Sequence, residues 1–573
     1  MLIFNGIKNI NIMKIQSYIS LGLLLVLISS CNNFLDLQPQ SEITDVVFWK
    51  NPADFKLAAN WFYQNTLDDP RSGGINNSDN MSDIAEDTQP DPVSSGTYVP
   101  PSDDGVWNGA YAGIRNANKL ITEGENSSIK DQISAYIGEG YFFRAYNYYT
   151  LFKLYGGVPL IDKVLDTTDP EIYNARATRD AILNFILSDL DMAISDLSDK
   201  STTDAGRICK EAAEAFKARV CLFEGTWRKF RGTADANTLL DLAILESKNV
   251  IDSKSYHLYS GKGIESYRYM FIDNTSENNP ESIISKHYRM FIDPIYWVEK
   301  ITWGYMSPTK KIADLYLCSD GLPINKSPLF EGYDSCRTEF YNRDPRMSES
   351  IIIPADSIFR PQFTEAEPQW PGVGNNRNVN SGYMLYKFIS EVASPSSSSA
   401  GNFDWNDMRY AEVLLIYAES TFERNGSISD ADLDLSINLL RDRVHMPHLT
   451  NGIVAANGLD MRTEIRRERT VELAFEGYRW DDLRRWKTAE TELPNSLLSI
   501  KVTGTQWDSP QVTIGDASTS GIFYNLPDSK LENGFLVLQP GSQRSFDPAK
   551  NYLLPLPTKQ ISLNPALVQN PNW

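Results

Sequence analysis

The chain has 573 residues, with 74 acidic against 54 basic side chains and a formal net charge of −20. That balance excludes nucleic acid as a partner and docking on anionic lipid through a polybasic surface, because both need basic patches. Hydrophobic residues at 42% and charged residues at 22% exclude a wholly disordered chain.

The first predicted element is a targeting segment. Ile19–Ile28 (ISLGLLLVLI) follows Lys14 and is far shorter than the roughly 20 residues that span a bilayer, so it reads as a signal-peptide core. It runs into Ile28-Ser29-Ser30-Cys31, the apolar-small-small-cysteine order in which small residues open the bond to a peptidase and the thiol takes a lipid. Residues 1–30 are therefore expected to be removed and Cys31 to be the lipidated N-terminus. Met13 offers a second start that gives a more usual signal length.

Apolar periodicity then predicts helices over Val46–Leu67, Val106–Glu123, Lys130–Tyr155, Arg179–Leu197, Lys210–Phe230 and Leu239–Ser253. After a gap it returns at Asp407–Arg424, Asp430–Arg443 and Asp460–Lys487, the last broken near Gly477. Alanine at the expected crossing points (Ala145, Ala212, Ala215, Ala218, Ala411, Ala418) suggests stacked helix pairs of tetratricopeptide type, although no strict consensus repeats. Between Tyr256 and Asn406 the periodicity fades into short apolar runs punctuated by Pro, Gly and Ser, and Asp68–Asp104 is a long Asn/Asp/Ser/Gly loop. Loops of this length tend to be functional. From Pro494 onward the chain is largely non-helical and is expected to wrap the helices. The fold class is thus mostly α. Residues 31–573 form one domain: a helical scaffold over about 44–255 and 406–487 with about four helix pairs, an irregular capping insert with short strands over about 256–405, and a C-terminal wrap over 488–573.

Catalytic and metal motifs are missing from the sequence. There is no G-x-S-x-G, H-E-x-x-H, Walker loop or G-x-G-x-x-G. Asp430-Ala-Asp432-Leu-Asp434 starts like a calcium loop but has Leu435 and Arg441 where glycine and glutamate are required, so a helix N-terminus explains the acids better. The four His are His257, His287, His445 and His448, and His445-Met-Pro-His448 reads as a surface turn. Arg462–Arg469 mixes signs at helical spacing and reads as a helix laced by ion pairs. Cys209 and Cys221 lie too far apart on one helix to bridge; whether Cys318 and Cys336 bridge across their loop is left open. No cofactor is expected; a structural calcium is compatible with the acidity, but no ligand set stands out.

Several blocks in order carry a family resemblance: Cys31–Pro39 with Phe48-Trp49, Trp107–Asn118 (WNGAYAGIRNAN), Glu139–Pro159 (EGYFFRAYNYYTLFKLYGGVP), Asp320–Ile324 with Arg343–Arg346, Arg409–Glu419 (RYAEVLLIYAE), Ile465–Trp486 (IRRERTVELAFEGYRWDDLRRW), Leu553–Pro557 and Gln569–Trp573. The chain resembles the SusD/RagB lipoproteins of the Bacteroidota outer membrane. The resemblance implies four tetratricopeptide-like helix pairs with a capping region and a lipid-anchored position facing the cell exterior. It also implies a partner TonB-dependent transporter of SusC type and capture of oligosaccharides without catalysis. One branch captures peptides, which is the alternative reading; a surface glycosidase is a further one.

Sugar rings stack their C–H faces on aromatic side chains, while rim amides, carboxylates and guanidinia bond the hydroxyls. Ligand aromatics are therefore expected on loops. Trp49, Trp107, Trp227, Trp405, Trp480, Trp486 and Trp573 are assigned to packing. Tyr296, Trp297, Trp303 and Tyr305 in the insert, Trp370 in a Pro/Gly loop and Tyr98 in the first long loop are the candidate platform, with Tyr296-Trp297 first. Arg71, Asn77 and Asp83 are the candidate polar contacts.

Overall fold

The computed structural model describes residues 48–67, 79–272, 279–288, 305–358, 367–368, 370, 381–389 and 404–573. The chain divides into two units, Met1–Phe55 and Lys56–Trp573. In the first, the Asp54 carboxylate accepts the backbone N–H groups of Lys50 and Asn51 at 2.8 and 3.1 Å, opening helix α1 (Pro52–Asn65). Asp54, the third residue of the helix, thus reaches back to the chain entering it, while the Asn51 side-chain oxygen accepts the first-turn N–H of Ala53 at 2.9 Å, a reciprocal capping arrangement.

The scaffold of the second unit follows in α2 (Gly105–Glu125), α3 (Lys130–Tyr155), α4 (Arg179–Asp196), α5 (Lys210–Lys229) and α6 (Ala236–Ser253). Asp104 caps α2, accepting from Val106 and Trp107 N–H, and its other oxygen takes the Tyr155 hydroxyl at 2.6 Å. The buried face of α2, Trp107, Ala110, Ile114, Ala117 and Ile121, repeats at three and four residues. Close approach to α3 depends on glycine: a Cβ on Gly113 would stand 2.5 Å from the Asn147 amide, and one on Gly124 would stand 2.6 Å from Ile137. Each helix packs on the next, α2 on α3, α3 on α4 and α5 on α6. Ala145, Ala212, Ala215 and Ala218 are fully buried where they cross. Helix α3 is buried nearly all round, which is why its sequence reads as an aromatic run without a polar stripe.

Within the insert come α7 (Ser266–Ile272), strand β1 (Ser282–Lys286), α8 (Lys310–Leu315) and α9 (Pro345–Ser350). Strand β2 (Trp405–Arg409) pairs antiparallel with β1, Lys286 opposite Trp405 and Ser282 opposite Arg409. The scaffold then resumes in α10 (Tyr410–Asn425), α11 (Asp430–Asp434), α12 (Ile437–Arg443), α13 (Met461–Glu472) and α14 (Arg479–Arg485). Helix α10 packs on α6 and on α13. Two boundaries differ from the sequence reading. The helix expected from Asp407 begins at Tyr410, because Trp405–Arg409 is consumed by the pairing with β1. The helix expected over 430–443 breaks at Leu435-Ser436. The break read near Gly477 is present: α13 ends at Glu472, Phe475 has φ 67 and Gly477 has φ 90 before α14 starts.

A second hydrophobic core lies under the insert, where Ile84, Tyr288, Tyr316, Met347, Tyr383, Phe388, Trp405, Phe475 and Trp507 are buried together. The C-terminal segment adds a three-stranded sheet, with Phe535–Gln539 between Leu531-Glu532 and Leu497–Lys501. It then wraps back along α3, Leu554 N–H to Leu154 O at 2.8 Å and the Asn570 amide to Tyr155 O at 3.1 Å.

A buried ionic network adjoins the second core, with the Arg409 guanidinium over the Phe271 ring. Glu472 accepts from Arg346, Arg409 and Arg443 at 2.9, 2.8 and 2.6 Å; all four side chains are at most 2% exposed. Glu476 takes Arg409 and Lys387, Glu281 takes Arg409 and Arg443, and Glu468 takes Arg346 and Arg441. Of the mixed-sign run Arg462–Arg469, Glu468 belongs to this network. Arg462 reaches Glu423, Arg469 reaches Asp482 and Arg466 lies over Phe230 and Trp486, so the charges chiefly tie α13 to other elements; Arg467 with Glu464 is a pair within the helix. Cys209, Cys221, Cys318 and Cys336 are all free and buried, so Cys318 and Cys336 are not bridged.

Candidate functional site

The first long loop and the insert meet in a small ribbon. Ala85-Glu86 pairs antiparallel with Ser307-Pro308, Ala85 opposite Pro308 and Glu86 opposite Ser307. The contact extends on both sides. The Asn80 amide donates to Tyr305 O at 2.8 Å, and the Thr309 hydroxyl donates to Asp83 O at 2.7 Å. Ser381 adds a hydroxyl bond to Pro308 O and shares another with Ser499, joining the ribbon to the C-terminal sheet. Tyr305, at the end of this ribbon, is 41% exposed.

The loop behind the ribbon is fixed at three further points. Asp83 is 4% exposed and forms a bidentate pair with Arg479 of α14, both bonds at 2.8 Å. Asp91 accepts the Val93 and Ser94 N–H groups at 2.8 and 3.0 Å, turning the chain so that Gly96 meets the C-terminal segment. Gly96 has φ +75 and a Cβ there would stand 2.2 Å from Ser545 O, so this close approach requires glycine. Ser545 N–H closes the contact on Ser95 O at 3.1 Å.

Electrostatics on this face are acidic and desolvated. Burial pushes Glu86 up to about 7, partly opposed by Arg544, with Asp87 adding to the rise. Burial also raises Asp91. For Asp83, burial works upward but the Arg479 guanidinium outweighs it, leaving the carboxyl below its ordinary value. Asn80, Asp83, Glu86 and Ser307 are buried, and Tyr305 is the exposed residue of this junction. An exposed tyrosine can stack on the C–H face of a sugar ring.

Of the residues singled out from sequence, Tyr305 stands on the ribbon and is partly exposed. Asp83 is corrected: its carboxylate is consumed by Arg479 in the interior and does not reach a rim. Trp370 is 8% exposed and packs edge-on to Trp507 at 6.4 Å, so it belongs to the second core and not to a platform. Tyr98 is half-buried and packs edge-on to the C-terminal Trp573 at 6.1 Å. Cys31, Arg71, Asn77, Tyr296, Trp297 and Trp303 lie outside the described residues. Trp107, Trp227, Trp405, Trp480 and Trp486 are buried as assigned. Sequence reasoning missed Asn80, Glu86 and Arg544, since only the long-range pairing of two irregular segments brings them to this face.

Among the described residues no helix is long and apolar enough to cross a membrane. The family model described as "SusD family" matches residues 260–573, and one described as "Starch-binding associating with outer membrane" matches residues 33–222. SusD-like protein P38 of Formosa agariphila is 25% identical over 523 residues, covering 84% of this chain and 92% of the relative. A SusD-like protein of Bacteroides ovatus is 22% identical, covering 82% and 80%. Among solved structures, a SusD-like protein of Bacteroides fragilis aligns with TM-score 0.73 at 25% identity, covering 94% of this chain and all of the other. A SusD-like carbohydrate-binding protein of the same species aligns with TM-score 0.72 at 23% identity, covering 91% and 100%. Those folds share the tetratricopeptide-like helical scaffold described above. With a match running over more than half of its length, the chain belongs to the SusD family.

Proposed function

We propose that this protein is a surface glycan-binding lipoprotein. It is held to the outer membrane by acyl chains on Cys31, captures oligosaccharides on the face around Tyr305 and delivers them to a partner TonB-dependent transporter. The observation that carries the binding face is the ribbon itself. Two long irregular segments are tied together by β pairing and the Asn80–Tyr305 bond, with a partly exposed tyrosine at the junction. A rigid, partly exposed tyrosine provides contact area at low entropy cost, and pyranose C–H faces complement such a ring. Supporting the ligand class are the descriptions of the matching family and of a similar structure as starch- and carbohydrate-binding. Supporting the anchor is the order Ile28-Ser29-Ser30-Cys31 behind a short apolar run.

Capture needs no chemistry. Ring stacking and hydroxyl bonds give a modest, reversible affinity, which suits a protein that must release its ligand to an importer. The test is affinity electrophoresis of the chain from Asn32 onward in gels holding one polysaccharide each. Retardation in at least one glycan, reduced about fivefold in affinity by Tyr305→Ala, is expected from loss of about 1 kcal/mol of stacking. Retardation in none, with retention of peptide mixtures instead, would replace the glycan with a peptide ligand.

A further inference from the structure

Glu86 sits in the ribbon at 5% exposure, and among the described residues no hydrogen bond or ion pair reaches its carboxylate. The charged groups facing it are Arg544 and Asp87. Arg544 donates elsewhere, Nε to Leu493 O and Nη1 to Gln539 Oε1, and its Nη2 has no partner. A buried carboxylate without a donor costs the folded chain free energy, so its presence calls for a reason outside the packing. Ribbon geometry supplies one. Glu86 lies directly opposite Ser307, and residues so paired project from the same face. Tyr305 is two residues before Ser307 and so shares that face, whereas Met306 between them is 1% exposed and belongs to the second core. Glu86 and Tyr305 are thus diagonal neighbours, a spacing still within reach of aromatic and long side chains. The carboxylate is also open. Asn80 Oδ1 and Arg544 Nη2 are unpartnered and sealed by packing; the Glu86 oxygens are not sealed.

We propose that Glu86 is the hydroxyl acceptor of the Tyr305 site: a sugar ring stacked on Tyr305 turns a hydroxyl to the Glu86 carboxylate. This rests on the glycan reading above and adds the chemical class of the glycan. The Arg544 guanidinium opposes an ammonium group or a metal ion beside Glu86. Glu86 and Asp87 together repel a uronate or a sulfate ester. A neutral hydroxyl satisfies the carboxylate without adding charge, so the ligand is a neutral oligosaccharide. Such a site also rejects a ring that lacks the hydroxyl, because the acceptor is then left unpaired.

The experiment compares wild type, Glu86→Gln and Tyr305→Ala, each from Asn32 onward, in two assays. One is differential scanning calorimetry without glycan; the other is affinity electrophoresis in soluble starch, xylan, galactomannan and alginate. Gln keeps the volume of Glu86 and removes its charge. Glu86→Gln is expected to raise Tm by about 1–3 °C, because an unpaired buried charge is relieved in a unit of about 500 residues. In the neutral polymer that retards wild type best, the same variant should bind about tenfold more weakly. A merely structural role would lower both readouts together, so opposite signs identify a ligand contact. Three results overturn the inference and leave capture at Tyr305 standing: Tm lowered or folding lost in Glu86→Gln, retardation unchanged in Glu86→Gln while it weakens in Tyr305→Ala, or alginate as the preferred polymer. Wild type retarded by no polymer overturns the glycan reading and this inference with it.

Discussion

Replacing Asp83 by Asn separates a ligand contact from a structural one. The wild-type carboxylate makes two 2.8 Å bonds to Arg479, whose remaining nitrogen donates to the Thr470 hydroxyl at 3.0 Å. With Asp83 and Arg479 only 4% and 8% exposed, water cannot replace the lost charge. Asp83→Asn keeps the volume but leaves a guanidinium uncompensated in the interior, and breaking such a pair costs about 3–5 kcal/mol. At about 2.1 cal/mol/K of unfolding entropy per residue, a unit of about 500 residues loses about 1 kcal/mol per degree, so Tm should fall by about 3–5 °C. The pH dependence has a definite sign. Because the Asp83 carboxyl sits below its ordinary value, its contribution is complete above about pH 4 and is lost as pH falls through the folded value. The gap in Tm between wild type and variant should therefore close on acidification. Differential scanning calorimetry together with glycan retardation decides. An unchanged Tm with ligand retention lost would refute the structural reading and return Asp83 to the binding rim.

Other consequences follow from the interior. Glu472→Gln removes the counter-charge of Arg346, Arg409 and Arg443 in a layer without solvent, so its destabilisation should equal or exceed that of Asp83→Asn, about 3–5 kcal/mol or more by urea unfolding. Gly113→Ala drives a methyl to within 2.5 Å of the Asn147 amide and should cost about 1–3 kcal/mol through separation of α2 and α3. The four thiols are buried, and burial pushes Cys209 and Cys336 up to about 11 and Cys221 up to about 12. A thiol reagent should label none of them in the native chain from Asn32 onward and all four in denaturant; rapid native labelling would contradict the packing.

The scaffold was legible because its helices carry local signals. Lys130–Tyr155 runs as read, from a first-turn Asp131 to a left-turning Gly156, and Lys210–Lys229 differs by one residue. The start of α10 was misplaced because helical spacing in Asp407–Arg424 is real, yet residues 405–409 gain more by pairing with Ser282–Lys286, a partner that no local pattern announces. The break before α14 was visible at Gly477, but its cap, Asp79, comes from the first long loop. The same limit governs the site. An Asp in an Asn/Ser-rich loop looks like a solvent-facing group, and a Trp between Pro residues looks like a platform. Asp83 is instead matched by Arg479, and Trp370 by Trp507, through tertiary contacts that spacing does not encode. The family blocks, by contrast, mark the interior: Arg409, Glu412, Glu419, Glu468, Glu472 and Arg485 are all buried ion-pair partners. That explains why blocks rich in charge read so poorly as surface.

The most direct test of capture without chemistry is one sample measured twice. The chain from Asn32 onward is incubated with the glycan that retards it best, its affinity is determined by titration calorimetry, and the glycan's chain length is then determined by size-exclusion chromatography. Saturable binding that weakens in Tyr305→Ala, with the glycan recovered at its original length, is the predicted result. Shortened glycan chains, or binding indifferent to Tyr305, would contradict the proposed role or its site.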